Sequence, residues 1–207
     1  MARNVAIMIF DDVEVLDFAG PFEVFAVSRD KDDGTTQLFN VYTIAEKAVP
    51  VIARNGLSIN PNYTLDDCPK PDIYVIPGGR GTRSAMHNDT LIKWIKAQSK
   101  TAEQVLSVCT GAFMLAKAGL LDGLAATTYH TEFDHLRSMA PTTTLHPDKR
   151  FVDNGQVVTS AGISAGIDMS LYVVSKLHGK AQALYTAQRM EYDVKEDLLV
   201  AEGFADG

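Results

Sequence analysis

Apolar positions along the chain follow two spacings. Val5 to Phe10 (VAIMIF) is an unbroken apolar run closed by Asp11-Asp12. A short continuous run of this kind predicts a strand buried on both faces, as in a parallel sheet. Phe39–Ala45, Asp72–Ile76 and Val105–Val108 predict three more strands. Between them, apolar residues recur at helical intervals. Leu16 to Val27 contains Pro21, which predicts that the helix starts there, with the proline near its first position. Leu91–Gln98 predicts a helix with Asn88 or Asp89 as N-cap. Gly111–Ala118 predicts a helix stopped at Gly119. Ala165–Leu177 and Ala181–Tyr192 predict two long helices near the end. Arg54-Asn55-Gly56 and Asn154-Gly155 mark two hairpins. The alternation of strands and helices predicts an α/β fold: a doubly wound, mostly parallel sheet flanked by helices. Residues 1–200 read as a single domain, and residues 201–207 as a frayed tail.

Composition narrows the function classes. The chain has 207 residues, 46% hydrophobic and 22% charged, with a net charge of −7. Nucleic-acid binding is disfavoured, because it normally needs a basic face. The early apolar run is too short for a signal peptide or a membrane span. Two cysteines, Cys68 and Cys109, do not make a disulfide framework. The expected compartment is the reducing cytoplasm, where free thiols persist.

The informative stretch is Val105-Leu106-Ser107-Val108-Cys109-Thr110-Gly111. A strand runs into Cys109, and a helix follows. Small residues stand two positions before it (Ser107) and two after it (Gly111). This is the layout of a nucleophile elbow, a turn so tight that those neighbours must be small. Such a turn is expected to expose the thiol above the carboxyl ends of the strands, where α/β sheets bind ligands. The following helix N-terminus is expected to lower its pKa. Cys68 has no such setting and reads as structural or incidental.

Three other features bear on that cysteine. Pro77-Gly78-Gly79 follows a buried strand, which makes Gly78 and Gly79 candidate ligand contacts. The Gly79 and Thr110 N–H groups are candidate oxyanion donors. Asp17 is flanked by apolar residues in Val15-Leu16-Asp17-Phe18-Ala19. A carboxyl so placed must be paired or protonated if buried, which suits an acid/base partner for the thiol. Glu23, further along the same segment, is a candidate pocket residue. Tyr129-His130 and Ile163 are candidate pocket residues, and His130 could form a Cys–His dyad. No histidine pair has metal-ligand spacing, and neither a metal nor an organic cofactor is expected.

Taken together, these segments resemble the ThiJ/PfpI superfamily, related to class I glutamine amidotransferase domains. Leu16-Asp17-Phe18-Ala19-Gly20-Pro21, Ile76-Pro77-Gly78-Gly79, Val108-Cys109-Thr110-Gly111 and Ser160-Ala161-Gly162-Ile163 carry the resemblance over nearly the whole chain. It implies a flavodoxin-like, amidotransferase-like fold with a nucleophile elbow, and a homodimer. Two subgroups look most similar: isonitrile hydratases and the ligand-binding-like domains of AraC-type regulators. The first implies Cys109 as nucleophile on an isocyanide carbon, Asp17 as general acid/base, and Thr110 as a residue holding substrate or water. For the second, a helix-turn-helix would follow, and none is expected here because the chain ends at Gly207. One departure stands out. The subgroup commonly has Thr-Thr-His-Trp where this chain has Thr127-Thr128-Tyr129-His130, so the histidine is displaced by one position.

The leading expectation is therefore a cysteine-dependent hydratase or hydrolase acting on a small electrophile, an isonitrile giving an N-substituted formamide. The alternatives are a non-enzymatic ligand or oxidant sensor, and a glyoxalase or deglycase acting on methylglyoxal. The expected partner is a small molecule, with neither nucleic acid nor membrane.

Overall fold

The computed structural model describes residues 1–200. The predicted frayed tail, 201–207, lies outside the described residues. The elements in chain order are β1 (Arg3–Met8), α1 (Val15–Val27), β2 (Phe39–Ala45), β3 (Val51–Ile52), β4 (Ser58–Ile59), β5 (Tyr63–Thr64), β6 (Ile73–Ile76), α2 (Thr82–Ala85), α3 (Asp89–Gln98), β7 (Gln104–Val108) and α4 (Ala112–Lys117). The rest are β8 (Ala125–Ala126), α5 (Phe133–Met139), β9 (Thr144–Leu145), β10 (Phe151–Asp153), β11 (Val157–Ser160), α6 (Ala165–His178) and α7 (Lys180–Arg189).

The central sheet has seven strands in the order β10-β11-β7-β6-β1-β2-β5. All neighbours are parallel except β10, which turns back along β11 through Asn154-Gly155. Successive β1 side chains enter opposite layers, which explains its unbroken apolar run. Val5 and Ile7 pack with Val24 and Phe25 of α1 and Met169 of α6. Ala6 and Met8 pack with Leu91 and Ile95 of α3 and Phe113 and Leu115 of α4. A strand covered on both faces has no polar side to show.

Registers align the carboxyl ends of the inner strands. Ile76 pairs with Ser107, and Val108 with Ser160. The loops after β1, β6, β7 and β11 therefore emerge at one edge.

The start of α1 differs from expectation. The helix begins at Val15 and carries Pro21 in its interior. A proline normally excludes the helical conformation from the residue before it, by clashing with that residue's Cβ. Here that residue is Gly20, which has none. Gly20 is also where α1 meets α6: a Cβ there would come within 2.9 Å of Ile167 Cγ1. One glycine thus permits both the interior proline and the close helix crossing.

Other departures are small. α7 stops at Arg189, three residues before the predicted end, where Glu191 takes φ 50°. The two-residue pair β8–β9 and the one-turn α2 have no counterpart in the predicted elements. Neither is long enough to display a period. The caps follow prediction: Asn88 accepts from Thr90 N–H at 2.9 Å, and Gly119 takes φ 73°. No helix among the described residues is long and apolar enough to cross a membrane.

Candidate active site

Cys109 sits at the end of β7 with φ 57°, a conformation rare for a side chain without a polar reach back to its own backbone. Holding a non-glycine residue there costs about 1–3 kcal/mol, and the surroundings must impose it. Three contacts do so. Thr128 Oγ1 donates to Cys109 O at 2.8 Å. Gly111 passes so close to the Ile76 carbonyl that any Cβ would collide with it. Behind the turn, Ser160 Oγ donates to Ser107 O at 3.2 Å. The strained strand-to-helix turn predicted from Ser107 and Gly111 is thus present.

The expected exposure and acidity of the thiol are not. Cys109 is 6% exposed. Burial pushes its pKa well above the ordinary thiol value, and the nearby Asp17 charge adds to the shift. The backbone N–H and the hydroxyl of Thr110 face the sulfur and act the other way. The turn after β7 is short and tight, so its few N–H groups do not outweigh the desolvation.

Asp17 lies in the first turn of α1 and is fully buried. Its Oδ2 accepts Gly78 N–H at 3.0 Å, while Glu14 N–H donates to Gly78 O at 2.9 Å. This reciprocal pair ties the β1–α1 and β6–α2 loops together. It requires a bare backbone at Gly78, where a Cβ would stand 2.8 Å from Asp17 Oδ2 and 2.6 Å from Thr110 N. Desolvation raises the Asp17 pKa to about 7; the Gly78 hydrogen bond opposes the rise, and the Glu14 charge adds to it. Asp17 Oδ1 has no conventional hydrogen-bond partner. Its carboxyl faces the Cys109 thiol closely enough that each group shifts the other's titration. The arrangement is a buried thiol–carboxyl pair in which protons are shared by the pair rather than owned by one member.

The hairpin β3–β4 braces this loop from outside. Asp12 N–H donates to Ile52 O at 2.8 Å, and Arg54 N–H to Val13 O at 3.0 Å. Arg54 Nη1 also reaches Glu14 Oε2 at 2.9 Å.

The remaining predicted residues divide. Thr110 is buried, and its hydroxyl accepts Gly79 N–H at 3.1 Å. The Gly79 N–H therefore points at Thr110 rather than into open space, which leaves the Thr110 N–H, facing the sulfur, as the better-placed oxyanion donor. Tyr129 is half-buried and lies against the thiol loop. His130 is exposed, with its ring against Tyr129 at a centroid distance of 4.4 Å. Glu23 is exposed on α1. Six residues from Asp17, it falls on a different helix face, so it does not join the pocket. Ile163 is half-buried, but its neighbour Gly162 makes the close approach. A Cβ on Gly162 would come within 2.8 Å of Cys109 Sγ and 2.7 Å of Tyr129 Cδ2.

Gly162, Thr82 and Thr128 escaped the sequence reading. Gly162 stood inside a quoted segment, Ser160-Ala161-Gly162-Ile163, and its position just before a helix was the available signal. Thr128 lies in the Thr127-Thr128-Tyr129-His130 motif, which marks it without assigning it a role; nothing in the local sequence marks Thr82.

Among the described residues, no group of three His, Cys, Asp or Glu could hold a metal ion. A cavity of about 280 Å³ lies over the ends of β1 and β2, lined in part by Phe10, Ala45, Lys47, Pro50, Ser84 and Leu91. Neither Cys109 nor Asp17 lines it.

A parallel α/β sheet with a strained cysteine elbow and a buried carboxyl beside it defines a class, and comparison with known proteins agrees. Residues 3–176 match the model of the DJ-1/PfpI family, and the chain belongs to it. It is 35% identical over 193 residues to an isonitrile hydratase from Pseudomonas putida, covering 93% of this chain and 79% of the relative. It is 28% identical over 153 residues to the HTH-type transcriptional regulator CdhR from Pseudomonas aeruginosa, covering 73% of this chain and 45% of the regulator. In fold it is similar to a ThiJ/PfpI family protein from Pseudomonas syringae, with TM-score 0.83 and 27% identity over 94% of this chain and 77% of that one.

Proposed function

We propose that the protein is a cysteine-dependent hydratase that converts an isonitrile to an N-substituted formamide. The observation that carries this reading is the buried carboxyl of Asp17, raised to about 7 and facing the Cys109 thiol. Near neutral pH such a carboxyl can both take a proton and return it. Similarity to an isonitrile hydratase over most of both chains supports the choice of substrate.

The proposed cycle begins with Asp17 as carboxylate and Cys109 as thiol. Asp17 takes the thiol proton as sulfur attacks the terminal isonitrile carbon. It then delivers that proton to the same carbon, leaving a thioimidate. Water loses one proton to Asp17 and adds to the carbon, Asp17 passes that proton to the imine nitrogen, and the regenerated carboxylate then takes the adduct's hydroxyl proton. The tetrahedral adduct collapses to the formamide and expels the thiolate, which recovers the second water proton from Asp17. The sum is one isonitrile and one water to one formamide. The Thr110 N–H and hydroxyl beside the sulfur support charge on it during attack and departure.

The buried, upshifted thiol favours this reading over a free-standing oxidant sensor, which needs an accessible thiolate. The reading also places the enzyme in the cytoplasm as a homodimer. Leu16, Ile52 and Leu57, each at least 39% exposed around the α1–hairpin region, support the dimer.

Incubating purified protein with cyclohexyl isocyanide and measuring N-cyclohexylformamide tests the reaction. Formation that disappears in Cys109→Ala is the expected result. No formamide from the wild type, or lactate from methylglyoxal instead, overturns it. Sedimentation gives the oligomeric state separately.

A further inference from the structure

The groups around Cys109 differ in what they show to solvent. Toward Asp17 the site is closed. A Cβ on Gly78 would stand 2.6 Å from Thr110 N, 2.7 Å from Thr110 Oγ1 and 2.8 Å from Asp17 Oδ2. Asp17 and Thr110 are buried, as is Thr82, whose Oγ1 lies 3.1 Å from that of Thr110. Toward Gly162 and Tyr129 the cover is thinner, since both residues are half-buried.

The Tyr129 ring and the sulfur flank one point. A Cβ on Gly162 would lie 2.7 Å from Tyr129 Cδ2 and 2.8 Å from Cys109 Sγ. Unstrained carbon contacts need about 3.5–4.0 Å. No carbon atom therefore fits directly between ring and sulfur. The backbone that carries the ring is tied down on both sides. Before it, Thr128 Oγ1 donates to Cys109 O at 2.8 Å. After it, Glu132 N–H donates to Tyr129 O at 2.9 Å, and the Glu132 carboxylate pairs with Arg83. Arg83 Nη1 in turn donates to Gly79 O at 3.3 Å. The ring itself still turns about its side-chain bonds. Its aromatic neighbour, His130, is exposed.

We propose that Tyr129 is the specificity gate of this site: its ring covers the sulfur, and an electrophile reaches Cys109 only by displacing it. The gate deepens the role assigned to Cys109 as nucleophile and rests on that reading. A ring that turns aside from a fixed backbone opens a narrow passage. Bulk close to the reacting carbon still meets the ring. An isonitrile presents a terminal carbon without substituents, its nitrogen and side group in line behind it. The gate therefore admits isonitriles with an unbranched carbon next to nitrogen and disfavours those with a tertiary carbon there.

The first test needs no isonitrile. In a Cys68→Ser background, Cys109 is modified by methyl methanethiosulfonate, which is slim, and by N-phenylmaleimide, which is broad. Both rates are followed by mass spectrometry. Tyr129→Ala is expected to raise the broad-to-slim rate ratio about tenfold, because the covered state no longer holds most of the population. A change in thiol acidity would move both rates together and leave the ratio alone. Tyr129→Phe, with the same ring, is expected to keep the wild-type ratio. An unchanged ratio in folded Tyr129→Ala overturns the proposal, as does a Tyr129→Phe whose ratio matches that of Tyr129→Ala. If Tyr129→Ala does not fold, Tyr129→Leu carries the same expectation. Hydration of n-butyl and tert-butyl isocyanide is measured in parallel. Tyr129→Ala is expected to gain selectively on the tertiary substrate, and an equal effect on both overturns the gate. A shifted labelling ratio without hydration of either would sink the proposed substrate alone; hydration with an unshifted ratio would sink the gate alone.

Discussion

Two turns in this protein hold a side-chain-bearing residue at positive φ on a three-residue helical turn. Asn55 does so at 62° in the hairpin between β3 and β4, and Cys109 does so at 57° after β7. At the hairpin the conformation is cheap. Asparagine is among the residues that tolerate it, and next to it a Cβ on Gly56 would meet nothing within 4 Å. At Cys109 it is imposed by packed backbone: the Gly111 approach to Ile76 and the Thr128 bond to the Cys109 carbonyl. One turn adapts its residue to its shape. The other forces an ill-suited residue into shape to hold a sulfur beside Asp17. The same dihedral is turn chemistry in one place and a functional constraint in the other, and only the surroundings distinguish them.

Substitutions separate the two turns. The largest effect is expected from Cys109→Ala, which should lower isonitrile turnover by about a thousandfold or more while the fold survives. Residual turnover within tenfold of wild type would remove Cys109 from the chemistry.

Next comes the buried carboxyl. The Asp17 pKa is raised above its unfolded value, so the folded state binds the extra proton. Its contribution to stability is therefore full below about pH 4 and is lost as pH rises through about 7, by about 4 kcal/mol in all. Asp17→Asn abolishes this loss. Chemical denaturation of both proteins along the pH scale should show the variant gaining on wild type through that window. Parallel curves would mean that Asp17 titrates normally.

Gly111→Ala drives a methyl into the Ile76 carbonyl and should destabilise by about 3 kcal/mol or more. Gly56→Ala, strained at φ 87° but in open space, should lose only about 1 kcal/mol. Thermal melts of the two compare the turns directly, and equal losses would contradict the contrast drawn here. Smallest of all, Asn55→Gly should change stability by a few tenths of a kcal/mol.

Much of this contrast was legible in the residues themselves. Ser107 and Gly111 around Cys109 announce a tight turn, and Asn55-Gly56 announces a hairpin. Asp17, alone among apolar neighbours, announces a buried carboxyl. The start of α1 was not legible, because proline position is a local cue and the decisive contact, Gly20 against Ile167, is made with a helix nearly 150 residues away. The acidity of the thiol was misjudged for a related reason. Sequence shows a helix start beside Cys109 but not the layers that exclude water from it.

The order of strands and helices, the positions of the turns and the identity of the thiol and its carboxyl partner follow from local pattern, because period and turn chemistry act over a few residues. Tertiary structure alone decided that Cys109 is buried rather than displayed, that Gly162 closes on it and His130 does not, and that Thr82 stands beside Thr110. Each of these depends on which loops meet at the carboxyl edge of the sheet. That meeting is set by strand order and register, which bring together residues far apart in the chain.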